Sequence, residues 1–70
     1  MIARVSDPAL LPDLAAHLRR MGCELEPVAE DSLRVEIPEA RRRDAAELEL
    51  DLYLRLWEAK LPLAQAERIA

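Results

Sequence analysis

The segment from Ala45 to Lys60 (AAELELDLYLRLWEAK) constrains the fold of this 70-residue chain more than any other. Its leucines recur at every second position from 48 to 56, which is the period of a half-buried strand. Arranged as a helix, the same residues form two apolar stripes on different sides. Ala, Leu, Glu, Arg and Lys are strong helix formers, and no β-branched residue lies between Ile37 and Ile69. The segment is therefore predicted to be a helix.

The two stripes of this helix differ in composition. The leucine stripe contains only Leu and Ala: Ala45, Leu48, Leu52, Leu56 and Ala59. The aromatic stripe contains both aromatic residues of the chain: Ala46, Leu50, Tyr53, Trp57 and Leu61. A chain this short offers one sheet to cover such a helix, so we expect one stripe to pack on that sheet and the other to meet another subunit.

Trp and Tyr are enriched at the centres of protein interfaces, which favours the aromatic side of the helix as the contact surface. The expected interface residues are Ala46, Leu50, Tyr53, Leu54 and Trp57. In the alternative arrangement, the aromatic stripe faces the chain's own sheet and the leucine stripe is partly exposed. The first arrangement predicts a homodimer or a complex with a partner protein, whereas the alternative requires neither.

Composition excludes several classes of protein. A hydrophobic fraction of 51% and a charged fraction of 34% are typical of one small folded domain covering residues 1–70. The net charge of −4 argues against nucleic acids and anionic membranes as partners. No apolar run approaches the length of a membrane span, and Met1 to Arg4 do not resemble a signal peptide. With a single cysteine, Cys23, the expected location is cytoplasmic.

The first half of the chain carries clear signals for strands and for one helix. Ile2 to Val5 is predicted to be a strand, and Asp7-Pro8 to start a helix that becomes regular at Pro12 and ends at Gly22. Cys23 to Ala29 alternates, but Pro27 cannot donate to a neighbouring strand, so this strand is predicted at a sheet edge. The next strand carries Leu33, Val35 and Ile37 on one face and ends at Pro38.

The order of these elements predicts an α+β fold. A charged connector, Glu39 to Asp44, precedes the long helix, and Leu63 to Ala70 is compatible with either a strand or a short helix. An extended C-terminal segment would give a ferredoxin-like βαββαβ fold, with an antiparallel sheet and two helices on one face. A helical one would give βαββα.

The run from Val5 to Val28 (VSDPALLPDLAAHLRRMGCELEPV) resembles the first strand, helix and second strand of ACT domains. These are small ferredoxin-like regulatory modules that commonly dimerise and often bind an amino acid. Asp7, the Leu10-Leu11 pair and Gly22 carry the resemblance, whereas Ala9 stands where the family usually has a loop glycine. The resemblance implies a ligand site near Asp7, Pro8, Ala9 and Leu10.

No set of residues has the spacing of a catalytic or metal site. His17 is expected on the solvated face of its helix, paired with Asp13, and Cys23 is expected to be buried beside Glu24. Cys, His and carboxylates lack metal-ligand spacing, and no cofactor motif is present. The run Arg41-Arg42-Arg43 is expected to be a solvated loop paired with neighbouring acids: Glu39, Asp44 and Glu47.

These observations predict a non-enzymatic regulatory or interaction module that self-associates through its second helix. A small ligand is compatible with this reading. The alternative is a pure assembly domain with no ligand site.

Overall fold

The computed structural model describes all 70 residues and contains four strands and two α-helices. In chain order they are β1 (Ile2–Val5), α1 (Leu11–Arg20), β2 (Glu24–Ala29), β3 (Ser32–Glu36), α2 (Arg43–Lys60) and β4 (Ala66–Arg68). A short 3₁₀ turn, Pro8–Leu10, precedes α1. The strands form one antiparallel sheet in the order β2-β3-β1-β4. The predicted α+β class is confirmed, and the C-terminal segment is a strand rather than a helix.

Alternation along the strands separates a buried face of the sheet from a charged one. Ala3 and Val5 of β1, and Leu33 and Val35 of β3, are buried. Arg34, which lies between the last two, is exposed. The buried strand residues form a single core with apolar residues of both helices. Both helices therefore cover the same face of the sheet, and the other face is open to solvent.

Local hydrogen bonds fix the 3₁₀ turn before α1 and the C-terminal end of the helix. The Asp7 carboxylate accepts the N–H of Ala9 at 3.0 Å, which caps the 3₁₀ turn that leads into the helix. At the other end, Gly22 adopts a φ of +90°, a conformation that glycine reaches at little cost. The N–H groups of Gly22 and Cys23 donate to the carbonyls of Arg19 and Leu18, each at 3.0 Å. This pair of bonds satisfies two carbonyls that the helix end would leave free.

The orientation of α2 places its aromatic stripe inward. Leu50, Leu54 and Trp57 are at most 1% exposed and belong to the core. Ala46, Tyr53 and Leu61 pack partly against the same core. Burying each of the three core side chains is worth roughly 1.5–3 kcal/mol. The arrangement in which the aromatic stripe faces the sheet is therefore the one found.

Two polar contacts join α1 to α2. The indole Nε1–H of Trp57 donates to Asp13 Oδ1 at 2.7 Å, and His17 Nε2 lies 2.9 Å from the carbonyl oxygen of Tyr53. Since a carbonyl oxygen can only accept, Nε2 carries the proton in this contact. On α1 the contacting residues are Asp13 and then His17, four positions later. Their partners on α2 come in the reverse order, because Tyr53 precedes Trp57 by four positions. The helices therefore cross antiparallel, with one contact a turn away from the other.

The predicted position of His17 is wrong. Its side chain is fully buried, and Nδ1 has no hydrogen-bond partner within the chain. Asp13 and Arg20 lie on the same side of α1 as His17, which is why the sequence pattern indicates a solvated position for it. Helix α2 packs against that side, so His17 is enclosed and its Nε2–H finds a partner in the backbone of α2.

We predict that Asp13→Ala destabilises the fold by about 1–3 kcal/mol, because it leaves the buried indole N–H of Trp57 without an acceptor. Asp13→Asn is the matched control, since its side-chain oxygen can still accept. In a Trp57→Phe background, Asp13→Ala should cost much less, because no donor remains to be orphaned. Urea denaturation of the four variants measures this coupling. Equal costs of Asp13→Ala in both backgrounds would show that the hydrogen bond contributes nothing.

Candidate interaction surface

The leucine stripe of α2 is the large apolar surface that the fold leaves uncovered. Leu48, Leu52 and Leu56 are 71%, 55% and 42% exposed, and they follow each other at intervals of four residues. Ala59 extends the stripe toward the end of the helix and is also exposed. Residues four apart lie one above the other on a helix, so the three leucines form one continuous ridge. Such a ridge is typical of a surface that contacts another protein.

Ion pairs border this ridge on one side. Arg68 of β4 reaches α2 and donates through Nε to Asp51 Oδ1 at 3.0 Å. That hydrogen bond, opposed by partial burial, raises the pKa of Arg68 above its ordinary value. Next to it, Arg55 lies 3.1 Å from Glu58. The apolar ridge therefore has a charged margin, an arrangement common in protein interfaces.

The open face of the sheet does not provide a comparable apolar surface. Arg4 of β1 pairs with Glu67 of β4 at 2.6 Å, and Arg34 of β3 pairs with Glu26 of β2 at 2.8 Å. All four side chains are about half exposed or more. Exposed pairs of this kind contribute at most about 1 kcal/mol each, and they keep the face hydrated.

The two edges of the sheet are obstructed in different ways. On β4, the N–H of Ala66 donates to Glu58 Oε2 at 2.8 Å, and Arg55 Nη2 donates to the Ala66 carbonyl at 2.7 Å. On β2, Pro27 lacks an N–H, and the pairing with β3 shifts register between Pro27 and Ala29. Prolines, irregular pairing and covering side chains are established means of blocking edge-to-edge association. The predicted edge position of Pro27 is confirmed.

The structure separates the residues expected at an interface into two groups. Leu50, Leu54 and Trp57 lie in the chain's own core and reach no second molecule while the domain is folded. Ala46 and Tyr53 are half-buried beside them. The uncovered apolar side of the helix is the leucine stripe. This stripe, and not the aromatic one, is therefore the candidate surface for self-association.

The four residues implied as a ligand site form part of the entry to α1. Asp7 caps the 3₁₀ turn, Pro8 and Ala9 are exposed within it, and Leu10 packs partly against the core. A surface cavity of about 670 Å³ begins at the neighbouring Ser6 and extends between β1, β4 and the end of α2. Its charged lining residues are two arginines and two glutamates: Arg4, Arg55, Glu58 and Glu67.

The structure places Cys23 in the core and beside an acidic side chain. Burial, and secondarily the charge of Glu49, raises the pKa of its thiol to about 11. The same two causes, together with a 3.4 Å hydrogen bond to Glu49, raise the pKa of the Tyr53 phenol above its ordinary value. The predicted burial of Cys23 is confirmed. Its thiol stays protonated at neutral pH and is a poor nucleophile.

The arginine run lies before and at the start of α2. Arg42 lies 3.3 Å from Asp44, and Arg43 lies 3.5 Å from Glu47. These are two of the acidic partners expected from the sequence. Arg41 to Arg43 also line a smaller cavity of about 280 Å³ with Met1 and Glu36. No group of three or more His, Cys, Asp or Glu side chains is placed to hold a metal ion.

Comparisons with known proteins do not assign the chain to a family. No family model matches it, and neither the curated proteins nor the solved structures contain a match. Neither α1 nor α2 combines the length and apolar composition needed to cross a bilayer.

We predict that Cys23 of the folded protein reacts with iodoacetamide at pH 8 roughly 100-fold more slowly than in the unfolded chain. The reacting species is the thiolate, and raising the pKa from 9.0 to about 11 lowers its fraction at pH 8 by that factor. Mass spectrometry of timed alkylation, with and without denaturant, measures the ratio. Equal rates in the two conditions would contradict the burial of Cys23.

Proposed function

We propose that this protein is a non-enzymatic interaction module that self-associates through the leucine stripe of α2. The observation that carries this proposal is the exposed ridge of Leu48, Leu52 and Leu56 on a helix whose opposite side already fills the core. An apolar ridge in water is stabilised when a second surface covers it. The remaining surfaces support the same conclusion, because both sheet edges are obstructed and the open sheet face is charged.

The contact should be weak in the isolated domain. An 18-residue helix is about 27 Å long, and one face of it buries less than the roughly 800 Å² per partner of a standard stable interface. We therefore expect dissociation constants in the range of about 10 μM to 1 mM. Association of this strength responds to local concentration, which suits a regulatory or assembly role.

We also propose that the fold is the ferredoxin-like one. Each neighbouring pair of strands is antiparallel, so β1 and β2 run in the same direction with β3 between them. Likewise, β3 and β4 run in the same direction with β1 between them. Two interleaved split βαβ units of this kind support the assignment. The resemblance of Val5 to Val28 to ACT domains is consistent with it.

A small-ligand role is the second candidate, and the cavity beside Ser6 favours it. Its two arginines and two glutamates would suit a small zwitterion such as a free amino acid. Each of these side chains already has a partner, however, through the Arg4–Glu67 pair and the Arg55–Glu58 pair. A ligand would have to replace those contacts, which is why we place self-association first.

We predict that Leu52→Lys weakens self-association at least tenfold and leaves the domain folded. The substitution places a charge at the centre of the ridge, where covering it would require desolvation. Sedimentation equilibrium between about 10 μM and 1 mM measures the association. Circular dichroism monitors the fold.

The matched control is Val28→Lys, since Val28 is 42% exposed on β2 and the substitution changes the net charge equally. This variant should associate like the natural sequence. An equal loss of self-association in both variants would show that the added charge, and not its position on the ridge, is the cause. A natural protein that is monomeric at 1 mM would refute the proposed function.

We predict a rise in the thermal unfolding midpoint with at least one free amino acid if the second candidate holds. A ligand that binds only the folded state stabilises it by mass action, by about 2.7 kcal/mol at a concentration 100 times its dissociation constant. Differential scanning fluorimetry with the twenty amino acids measures this shift. No shift at 10 mM, about the highest practical concentration, would remove the ligand role.

A further inference from the structure

The residue types of the leucine stripe are arranged symmetrically about Leu52 along the sequence. Ala45 and Ala59 lie seven residues before and after it, and Leu48 and Leu56 lie four residues before and after it. A two-fold symmetric contact uses the same patch on both subunits, so the patch must be its own complement. When two antiparallel copies of a helix meet at one residue, each position before that residue faces the position equally far after it in the partner. The stripe satisfies this condition at all five positions.

The charges of α2 are divided unevenly about Leu52, because four acidic residues and one arginine precede it in the helix, whereas one acidic residue, one arginine and one lysine follow it. Exchange of positions about Leu52 brings Asp44 level with Lys60 of a second copy, and Glu49 level with Arg55. A parallel pair would instead bring each of these charges level with its own like-charged copy. Opposite charges at the same level favour the antiparallel arrangement and disfavour the parallel one.

The spacing of the ridge also sets the expected geometry. Leucines at intervals of four form a row inclined to the helix axis, and two such rows pack together when the helices cross at about 50°. Leu52 then lies at the crossing point, with Leu48 on one side and Leu56 on the other.

We infer that the occupant of the leucine stripe is a second copy of this chain, bound antiparallel with its two-fold axis at Leu52. In this arrangement Leu48 of each subunit packs against Leu56 of the other. The inference rests on the proposed function, because it specifies the partner and the orientation for the same surface.

Cysteine cross-linking in a Cys23→Ala background tests the orientation. The single variant Leu52→Cys should form a disulfide dimer under mild oxidation, because the residue faces itself across the axis. An equimolar mixture of Leu48→Cys and Leu56→Cys should give the mixed dimer at least tenfold faster than either variant links to itself. A disulfide needs Cα atoms within about 7 Å, which only facing positions meet.

Val28→Cys is the matched control for random collision, since Val28 and Leu56 are equally exposed, at 42%. Its rate gives the background, and circular dichroism with sedimentation checks that each variant folds and associates. Faster self-linking of Leu48→Cys than of the mixed pair would show a parallel contact and overturn the inference.

Background rates in every variant, with association still present by sedimentation, would place the contact elsewhere and also overturn the inference. That result would also refute the proposed function, because it names the same stripe, whereas a parallel contact overturns the orientation alone. A monomer in every measurement would remove both proposals together.

Discussion

The contact between the two helices decides which side of α2 faces solvent. Both stripes of α2 are apolar, so burying either of them against the sheet would be favourable. The aromatic side carries an indole N–H that needs an acceptor when buried, and Asp13 of α1 supplies it at 2.7 Å. The His17–Tyr53 contact fixes the same orientation one turn away. With the aromatic side held against α1 and the sheet, the leucine stripe is left outside.

The rest of the surface is consistent with this division. Arg55 and Glu58 extend from α2 to the backbone of Ala66 and close the edge of β4, while Pro27 interrupts the edge of β2. The same helix thus completes the core with one side, covers a sheet edge with a second and presents leucines on a third. Both edge strands are therefore poor templates for pairing with a strand of another chain.

Most of the fold could be predicted from local signals in the sequence. The β-branched run at Ile2 to Val5, the alternation around Leu33 and Val35, and the left-handed position of Gly22 each follow from one physical rule. Pro27 also indicated its edge position correctly, because a missing N–H excludes a central strand.

The predictions that failed, or that stayed undecided, depend on contacts distant in sequence. His17 lies on a polar side of α1 when that helix is considered alone, and only the position of α2 makes the side buried. Which of the two stripes of α2 is buried also depends on contacts with residues that are distant in the sequence. Enrichment of aromatic residues at interfaces favoured Trp57 as a contact residue, but the acceptor that retains it in the core lies 44 positions earlier in the chain.

We propose that copies of this chain meet through the leucine stripe and not through the aromatic stripe. Methyl NMR of a sample with labelled leucines, diluted from about 1 mM to 10 μM, tests it most directly. We expect concentration-dependent shifts at Leu48, Leu52 and Leu56, with Leu50 and Leu54 unchanged. Shifts confined to Leu50 and Leu54, or no shift at any of the five, would contradict it.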